Sequence, residues 1–205
     1  MHFSIYTCII VYNSKDSIMI NTRSIAQIAE IRFGFYSISK DKGDLEYFQV
    51  RQFDDLGRRT HTTADFINSD EKTENHLLKD GDVLFVGKGN RLFSWCYRQQ
   101  DRPAVASSIF FVLRLNTSLV LPEYMAAILN APQSKATFQQ IGAGTNIFSI
   151  RKSELGAFQI PLPSMKQQKL IADIAQLHQQ EILITQQLIT QKQELYSAII
   201  SNLIK

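Results

Sequence analysis

The spacing of apolar residues along the chain changes near position 164. Before it, short apolar runs alternate with polar, turn-rich segments; after it, apolar residues recur at helical spacing up to residue 204. Short runs of β-branched and aromatic residues are typical of strands, whereas a sustained helical period is typical of a long helix. The pattern predicts an α+β protein, with a mixed β-sheet domain and short helices over residues 1–160 and a long coiled-coil-type α-helix over residues 161–205.

The predicted domain contains several strands and two short helices. The predicted strands are 4–12, 83–86, 107–115 and 155–163. Pro122 occupies a first-turn position of a helix predicted at 122–130, and a second helix is predicted at 134–141. A short element is predicted at 24–34. Residues 35–75 are predicted to be irregular because they are polar and rich in turn residues.

The predicted long helix has a clear start. Ser164 and Gln167 have the spacing of a capping box, in which each side chain accepts a hydrogen bond from the other residue's backbone N–H. No proline or glycine occurs from residue 164 to residue 205. A helix of about 40 residues reaches roughly 60 Å, which is much longer than one small domain requires.

The apolar residues of this helix form two adjacent heptad rows. Because two rows make a stripe too wide to remain in water, the helix is predicted to pack on another long helix of the same complex. The alternative is a helix that folds back over its own domain. The residues predicted to form the pairing surface are Leu170, Ile171, Ile174, Leu177, Ile184, Leu188, Leu195 and Ile199.

Composition and charge place the chain among globular proteins. Its apolar fraction is 44% and its net charge is +3, which permits a nucleic-acid partner without requiring one. Cys8 and Cys96 make neither a disulfide framework nor a zinc-ligand spacing, so a reducing cytoplasm is the expected location. No apolar run approaches the length of a membrane span, and the first residues lack the features of a secretory signal.

Basic residues are concentrated between positions 86 and 114. This segment contains five basic residues, Lys88, Arg91, Arg98, Arg102 and Arg114, and one acidic residue, Asp101. Phe93, Trp95 and Tyr97 lie among them in the sequence. Basic and aromatic side chains near loops suit a nucleic-acid surface, although some of these aromatic residues must be core. The glycine loop at 86–90 has two open interpretations, a phosphate-binding loop and a plain hairpin turn.

Two further loops carry residue types that contact DNA. The loop at 53–61 contains Arg58, Arg59 and His61, and arginine can read guanine through two parallel hydrogen bonds. Residues 142–155 contain Thr145, Asn146, Arg151 and Lys152, which could contact backbone phosphates. In both loops the alternative, a solvated or locally capped turn, stays open.

No catalytic arrangement emerges from the sequence. It lacks a nucleotide-binding G-x-x-x-x-G-K-[ST] motif and a nucleophile elbow, and its four histidines have no metal-ligand spacing. Asp82 followed by Lys88 resembles part of a nuclease strand, but the second carboxylate would fall at Val86. No cofactor and no metal are therefore expected, and catalysis is assigned to other chains.

An ordered set of segments resembles the DNA-specificity subunits of type I restriction–modification systems, over about residues 24–205. The segments are "LLKDGDVLFVGKGN", "ASSIFFVLRL", "LPEYMAAILNAP", "GTNIFSIRKSEL" and "IPLPSMKQQKLIADI". Gln168 and Ile171 fit the family's last pattern. Residues 1–23 lie outside the resemblance and have no functional interpretation.

The resemblance implies a target-recognition domain that reads half of a split DNA site. It also implies a long helix that pairs antiparallel with a second one and spaces the half-sites. A usual specificity subunit carries two such units and this chain carries one, which suggests a half-subunit that forms a homodimer. Methyltransferase subunits, and through them the restriction subunit, are the implied protein partners.

Residue roles follow from the loops and the resemblance together. Contacts to the DNA backbone are predicted for Lys88, Asn90, Arg91, Thr145, Asn146, Arg151 and Lys152. Contacts to bases are predicted for Arg58, Arg59, His61, Arg98 and Arg102. The alternative to DNA recognition is a helix-dimerised interaction module, or a decayed subunit that no longer reads DNA.

Overall fold

The computed structural model describes residues 21–60, 64–99, 102–142 and 148–204, so the strand predicted at 4–12 lies outside the described residues. The elements, in chain order, are β1 (Asn21–Ser24), α1 (Ile25–Ile28), β2 (Ala29–Phe33), β3 (Leu45–Phe48), β4 (Phe66–Ile67), α2 (Glu71–Glu74), β5 (Val83–Val86), β6 (Ser94–Cys96), β7 (Ala104–Ala106), β8 (Phe110–Leu115), α3 (Pro122–Asn130), α4 (Pro132–Gly142), α5 (Lys152–Ala157), β9 (Gln159–Leu162) and α6 (Met165–Leu203). A 3-10 turn at Val50–Gln52 follows β3.

The central sheet is antiparallel, with strand order β2–β8–β5–β6. Every residue of β5 is buried, because alternate side chains enter two different cores. Val83 and Phe85 pack with residues of α3 and α4, while Leu84 and Val86 pack in an aromatic cluster. The strand predicted at 83–86 is thus confirmed at its predicted bounds.

The predicted strand at 107–115 is shorter in the structure. Residues 107–109 form a turn in which the Phe110 N–H donates to the Ser107 carbonyl at 2.9 Å, and β8 begins only at Phe110. The periodicity of the apolar residues could not separate this turn from the strand, because Ile109 continues the apolar run while remaining exposed.

A second sheet, with order β4–β3–β7, comes partly from the segment that was predicted to be irregular. Strand β3 is antiparallel to β4 and parallel to β7, so the fold is mixed, as predicted. Leu45, Tyr47 and Ile67 are buried in a small core of their own. The prediction for residues 35–75 is therefore wrong at these strands, which are too short to show a period in the sequence.

The strand predicted at 155–163 is wrong over its first four residues. Residues 152–157 form helix α5, and the strand β9 begins at Gln159, where it pairs antiparallel with β1. The Glu154 carboxylate caps α5 by accepting from the Arg151 N–H at 2.7 Å. Gly156 lets the helix lie close to Ile31, because a Cβ there would come within 3.3 Å of that side chain.

The two predicted short helices are confirmed, α3 at its predicted bounds and α4 slightly longer. Asn130, the last residue of α3, pairs with the edge strand β6 through two hydrogen bonds. Its side-chain oxygen accepts from the Ser94 N–H at 2.9 Å, and its amide donates to the Ser94 carbonyl at 2.8 Å. This contact covers an otherwise open strand edge.

Helix α6 runs for 39 residues and begins as predicted. The Ser164 N–H donates to the Gln167 side-chain oxygen at 3.1 Å, and the Gln167 N–H donates to the Ser164 hydroxyl at 3.4 Å. Among the described residues of α6 only Gln168 and Ala172 are buried, and both lie near its start. None of the described helices, α6 included, combines the length and apolar character that crossing a membrane requires.

Candidate nucleic-acid interface

At one end of the central sheet the ends of its four strands lie side by side, and several loops meet there. Phe33 pairs with Phe111, Val86 with Phe110, and Phe85 with Ser94. In this antiparallel register the ends of β2 and β5 coincide with the beginnings of β6 and β8. We call the segments 33–34, 87–91 and 107–109, together with 148–152, the loop edge.

The segment 148–152 is far from the others in sequence but is hydrogen-bonded to the loop after β5. The Ile150 N–H donates to the Gly87 carbonyl at 2.9 Å, and the Gly89 N–H donates to the Phe148 carbonyl at 3.0 Å. Lys88 and Ser149 form the isolated bridge between them. The structure therefore brings together the glycine loop and the Arg151 region, two of the three loops predicted to contact DNA.

Glycines shape the loop that carries Lys88 and Asn90. A Cβ at Gly87 would overlap the ring of Phe111, so the backbone can lie on that ring only as glycine. Gly89 has a φ of +102° and open space around it, a conformation that glycine adopts at low cost. The side chains of Lys88 and Asn90 are consequently exposed at the surface.

Arg151 and Lys152 are exposed at the start of α5. The ammonium group of Lys152 lies 5.7 Å from the centroid of the Phe33 ring, within the range of a cation–π contact. None of Lys88, Arg151 and Lys152 forms an ion pair with a carboxylate in the described part of the chain. Their positive charges are available to an external anion.

The arginines of the 53–61 loop are engaged within the protein. Arg58 forms an ion pair with Asp54 at 2.6 Å, and Arg59 pairs with Glu46 while its guanidinium lies 4.8 Å from the Phe48 ring centroid. These ion pairs occupy part of each guanidinium and hold both arginines against their own loop and its neighbours. Base contacts by Arg58 and Arg59 stay predictions.

Arg91 fastens the 53–61 loop to the loop edge. Its guanidinium donates to the carbonyls of Val50 at 3.1 Å and Phe53 at 2.7 Å, and also to that of Asp54. Three backbone acceptors occupy most of the donors that Arg91 could offer to a phosphate. The structure thus gives Arg91 a structural contact, and its predicted role in binding the DNA backbone stays untested.

Arg98 and Arg102 lie away from the loop edge. Arg98 follows the opposite end of β6 and pairs with Asp80 at 2.8 Å and with Glu123. The Arg102 guanidinium lies 5.5 Å from the centroid of the Phe66 ring, beside the second sheet. The structure therefore does not bring these two predicted base readers together with Lys88.

Three of the predicted contact residues, His61, Thr145 and Asn146, lie outside the described residues. The chain on either side of residues 145 and 146 is anchored, since Gly142 is buried and Phe148 is bonded to Gly89. Their predicted contacts with DNA stay predictions.

The aromatic residues between positions 86 and 114 belong to the core. Phe93 and Tyr97 are buried, and Trp95 is half-buried among the rings of Phe48, Phe53 and Tyr97. Phe93, Trp95 and Tyr97 lie in or next to β6 at alternate positions, whereas Arg91, Arg98 and Arg102 lie in the segments outside that strand. The hypothesis that these rings form a nucleic-acid surface is wrong for Phe93 and Tyr97.

Asp82 has a structural partner. Its buried carboxylate accepts from the Arg114 guanidinium at 3.0 and 2.7 Å and from the Lys79 N–H at 2.8 Å. The hydrogen bonds from Arg114 to Asp82 raise the pKa of Arg114, although its partial burial opposes the shift. In the described part of the chain no group of three His, Cys, Asp or Glu residues is placed to hold a metal ion.

The sequence interpretation missed exposed apolar residues beside the loop edge. Phe33 is 55% exposed, and Tyr36 and Ile38 are each 78% exposed. Exposed and half-buried residues alternate from Tyr36 to Lys40, the pattern of an extended segment with one face in solvent. That alternation was visible in the sequence, but the polar residues around it favoured an irregular loop.

The predicted pairing surface of α6 is largely uncovered. Seven of its residues are between 49% and 64% exposed: Leu170, Ile174, Leu177, Ile184, Leu188, Leu195 and Ile199. Ile171 differs, because it is half-buried against the domain's main core. In the described structure the helix therefore does not fold back over its own domain with this stripe.

Solved structures with the same architecture are specificity subunits. The chain is similar to the S subunit of a type I restriction–modification system from M. genitalium, with 18% identity and a TM-score of 0.53, over 79% of this chain and 39% of that one. It is also similar to the HsdS subunit from Thermoanaerobacter tengcongensis, with 17% identity and a TM-score of 0.59, over 83% of this chain and 40% of that one.

A third similar structure comes from work on the complex assembly and conformational transition of the type I R-M system, with 16% identity and a TM-score of 0.58. It is matched over 86% of this chain and 43% of that one. The chain thus spans about two fifths of the length of these structures. A comparison with curated protein sequences gives no match.

The fold is similar to that of two solved specificity subunits. The family model described as type I restriction modification DNA specificity domain matches residues 18–192 of this chain. Since the match covers most of the sequence, the chain belongs to the type I restriction modification DNA specificity domain family.

Proposed function

We propose that this chain is a DNA-recognition subunit that contacts one half of a bipartite site through its loop edge. The observation that carries the proposal is the gathering of Lys88, Asn90, Arg151 and Lys152, all exposed, at the loop edge, where none of the three basic side chains forms an ion pair within the described residues. Fixed positive groups on neighbouring loops suit the regularly spaced phosphates of a duplex. Residues 1–160 form the recognition domain in this proposal, and residues 161–205 form the spacing helix.

The loop edge divides into positioning and reading groups. Lys88, Arg151 and Lys152 contact phosphates, which fixes the register of the domain on DNA without selecting a sequence. Selection then depends on side chains that reach base edges. The candidates are Arg58, Arg59 and His61, while Arg98 and Arg102 contribute only where the duplex extends beyond the loop edge.

A second copy of the chain is the proposed partner of α6. Between Leu177 and Leu195 the exposed heptad row of α6 is symmetric about Gln186: in an antiparallel pair centred there, Ile184 faces Leu188, Leu177 faces Leu195, and Glu181 faces Gln191. Apolar residues thus meet apolar residues, and the polar interruptions meet each other. Such a two-fold arrangement matches an inverted-repeat DNA site.

The chain itself supplies no catalysis in this proposal. Methyltransferase subunits bind the paired specificity chains, and the restriction subunit joins through them in the cytoplasm. The support is the family to which the chain belongs and its likeness to a structure concerned with assembly of the type I R-M system.

Mapping of modified bases tests the proposal. The chain is co-expressed with its cognate methyltransferase subunits in a host without that modification, and we expect modification at an interrupted inverted repeat. An asymmetric bipartite site would contradict the homodimer, and the absence of any modified site would contradict DNA recognition.

Salt dependence tests the loop edge. We expect Lys88→Ala to weaken DNA binding and to reduce the slope of log affinity against log salt by about 1. Lys79→Ala removes the same charge from an exposed position near the opposite end of β5 and serves as the control. Equal effects of the two substitutions would contradict the assignment of the interface.

The exposed stripe of α6 favours one alternative, a helix-dimerised interaction module that does not read DNA. Such a protein would associate through α6 but would bind DNA weakly or not at all, even with the methyltransferase subunits present. Its Lys88→Ala variant would behave as the wild type.

A further inference from the structure

The start of α6 is joined to the domain by one buried side chain, Gln168. It is 1% exposed, and all of its polar groups are hydrogen-bonded. Its oxygen accepts from the Leu121 N–H at 2.9 Å, and its amide donates to the carbonyls of Leu119 at 3.0 Å and Pro163 at 3.1 Å. A single residue of α6 is thus bonded to the segment before α3 and to the segment before α6 itself.

The contacts around Gln168 restrict the direction in which α6 leaves the domain. The Tyr124 hydroxyl of α3 donates to the Pro161 carbonyl at 2.6 Å. Pro161 lies in β9, the strand that comes just before α6. Ala172, one turn after Gln168, is buried on the same face, and Ile171 is half-buried beside it. Beyond this short contact region nearly all of the helix is exposed, so its direction is fixed at its start.

We propose that Gln168 is a specificity-determining positioning residue that sets the spacer length between the two half-sites. The inference rests on the proposed function. The geometry behind it is that the joint and the loop edge lie at opposite ends of the central sheet, because α3 follows the end of β8 that is distant from Phe110. A rotation at the joint therefore displaces the loop edge through a lever arm as long as the domain is wide.

The displacement is comparable to one base-pair step. A domain of about 145 residues is roughly 35 Å across, so a rotation of about 6° at the joint moves the loop edge by about 3.5 Å. Successive phosphates of one strand are about 3.4 Å apart along the duplex. A rigid joint thus selects one spacer, and a loosened joint admits its neighbours.

The first test measures the joint directly and needs no DNA. Spin labels are placed at Lys72→Cys on the domain and Ser197→Cys on the far part of α6, in a chain whose two natural cysteines are replaced by serine. The labelled chain is mixed with a large excess of unlabelled chain so that distances within one chain dominate. We expect a narrow distance distribution, which Gln168→Met broadens and Gln176→Met, the same change at an exposed position of α6, leaves unchanged.

The second test measures spacer choice. Binding is compared on duplexes that carry the mapped half-sites with the natural spacer and with spacers one base pair longer or shorter. We expect wild-type discrimination of about tenfold or more, because a wrong spacer must be accommodated by deforming the duplex. In Gln168→Met we expect the discrimination to fall to about twofold with the half-site sequence preference unchanged.

The outcomes separate this inference from the proposed function. A folded Gln168→Met chain with the wild-type distance distribution and spacer preference would overturn the inference. Should that variant fail to fold, Gln168→Glu retains the accepting oxygen and is measured in its place, and unfolding of both would show that Gln168 holds the fold instead of the angle. A wild-type chain that binds no DNA refutes the proposed function, while the distance measurement still decides the joint.

Discussion

Reversal of two charges on α6 tests the proposed pairing of two copies. In the antiparallel arrangement centred on Gln186, Glu181 of one copy lies opposite Gln191 of the other and beside its Lys192. Glu181→Lys places two lysines side by side at this position, and Lys192→Glu places two glutamates there. By symmetry each contact occurs twice in the dimer. We expect either single variant to dissociate, the double variant to pair again, and the two single variants to pair with each other.

The expected magnitude follows from the exposure of the charges. The Glu181 side chain is 78% exposed and its only described ionic neighbour is His178 at 3.8 Å, so little holds it within its own helix. An exposed ion pair contributes about 0.2–1 kcal/mol, and a like-charge pair costs a similar amount. With two sites per dimer, each reversal costs about 0.8–4 kcal/mol, equivalent to a dissociation constant about 4- to 1,000-fold higher.

Sedimentation equilibrium at several protein concentrations measures this change, and a mixture of the two single variants measures their heterodimer. The control is Gln179→Lys/Gln186→Lys, which adds the same net charge as Glu181→Lys at positions on the opposite face of α6. The reasoning is refuted if both single variants associate as the wild type does, or if their mixture pairs no better than each variant alone.

Three smaller perturbations test the loop edge and its support. Arg91→Ala should lower the free energy of unfolding by about 2–3 kcal/mol, because buried carbonyls lose a charged donor, as measured in urea. Gly87→Ala should destabilise by about 1–3 kcal/mol, because its methyl group overlaps the Phe111 ring, as measured by thermal unfolding. Hydrogen bonds from Arg51 lower the pKa of Asp65 from 3.8. The free energy of unfolding should therefore fall as the pH drops below that value. Asp65→Asn should make this fall smaller, as measured by unfolding at a series of acidic pH values.

The long helix could be predicted because its signals are local and repeated. The capping pair Ser164 and Gln167 marks its start, and the absence of proline and glycine leaves its period unbroken. What the sequence did not indicate was which of its two apolar rows meets the domain. That distinction depends on Gln168, Ile171 and Ala172, and the main partners of Gln168, which are Leu119 and Leu121, are far away in sequence, just before α3.

The candidate interface could be predicted only in part, for a similar reason. Lys88 and Arg151 stood out as basic residues in loops, but their adjacency depends on the bridge between Lys88 and Ser149, which no local pattern encodes. Arg98 carried the same local signal, yet it lies beyond the opposite end of β6 and is paired with Asp80. Composition indicates basic loops, whereas strand register decides which of them share a surface.

The burial of β5 on both faces has a consequence for how such a protein can change its target. The central strand β5 takes its stability from side chains packed in two cores and not from the loops, so most loop substitutions cost little folding free energy. Gly87 and Arg91 are exceptions, because one lies on the Phe111 ring and the other binds the backbone of the neighbouring loop. The loop residues between Gly87 and Arg91 can be substituted while the strands beneath them remain the same.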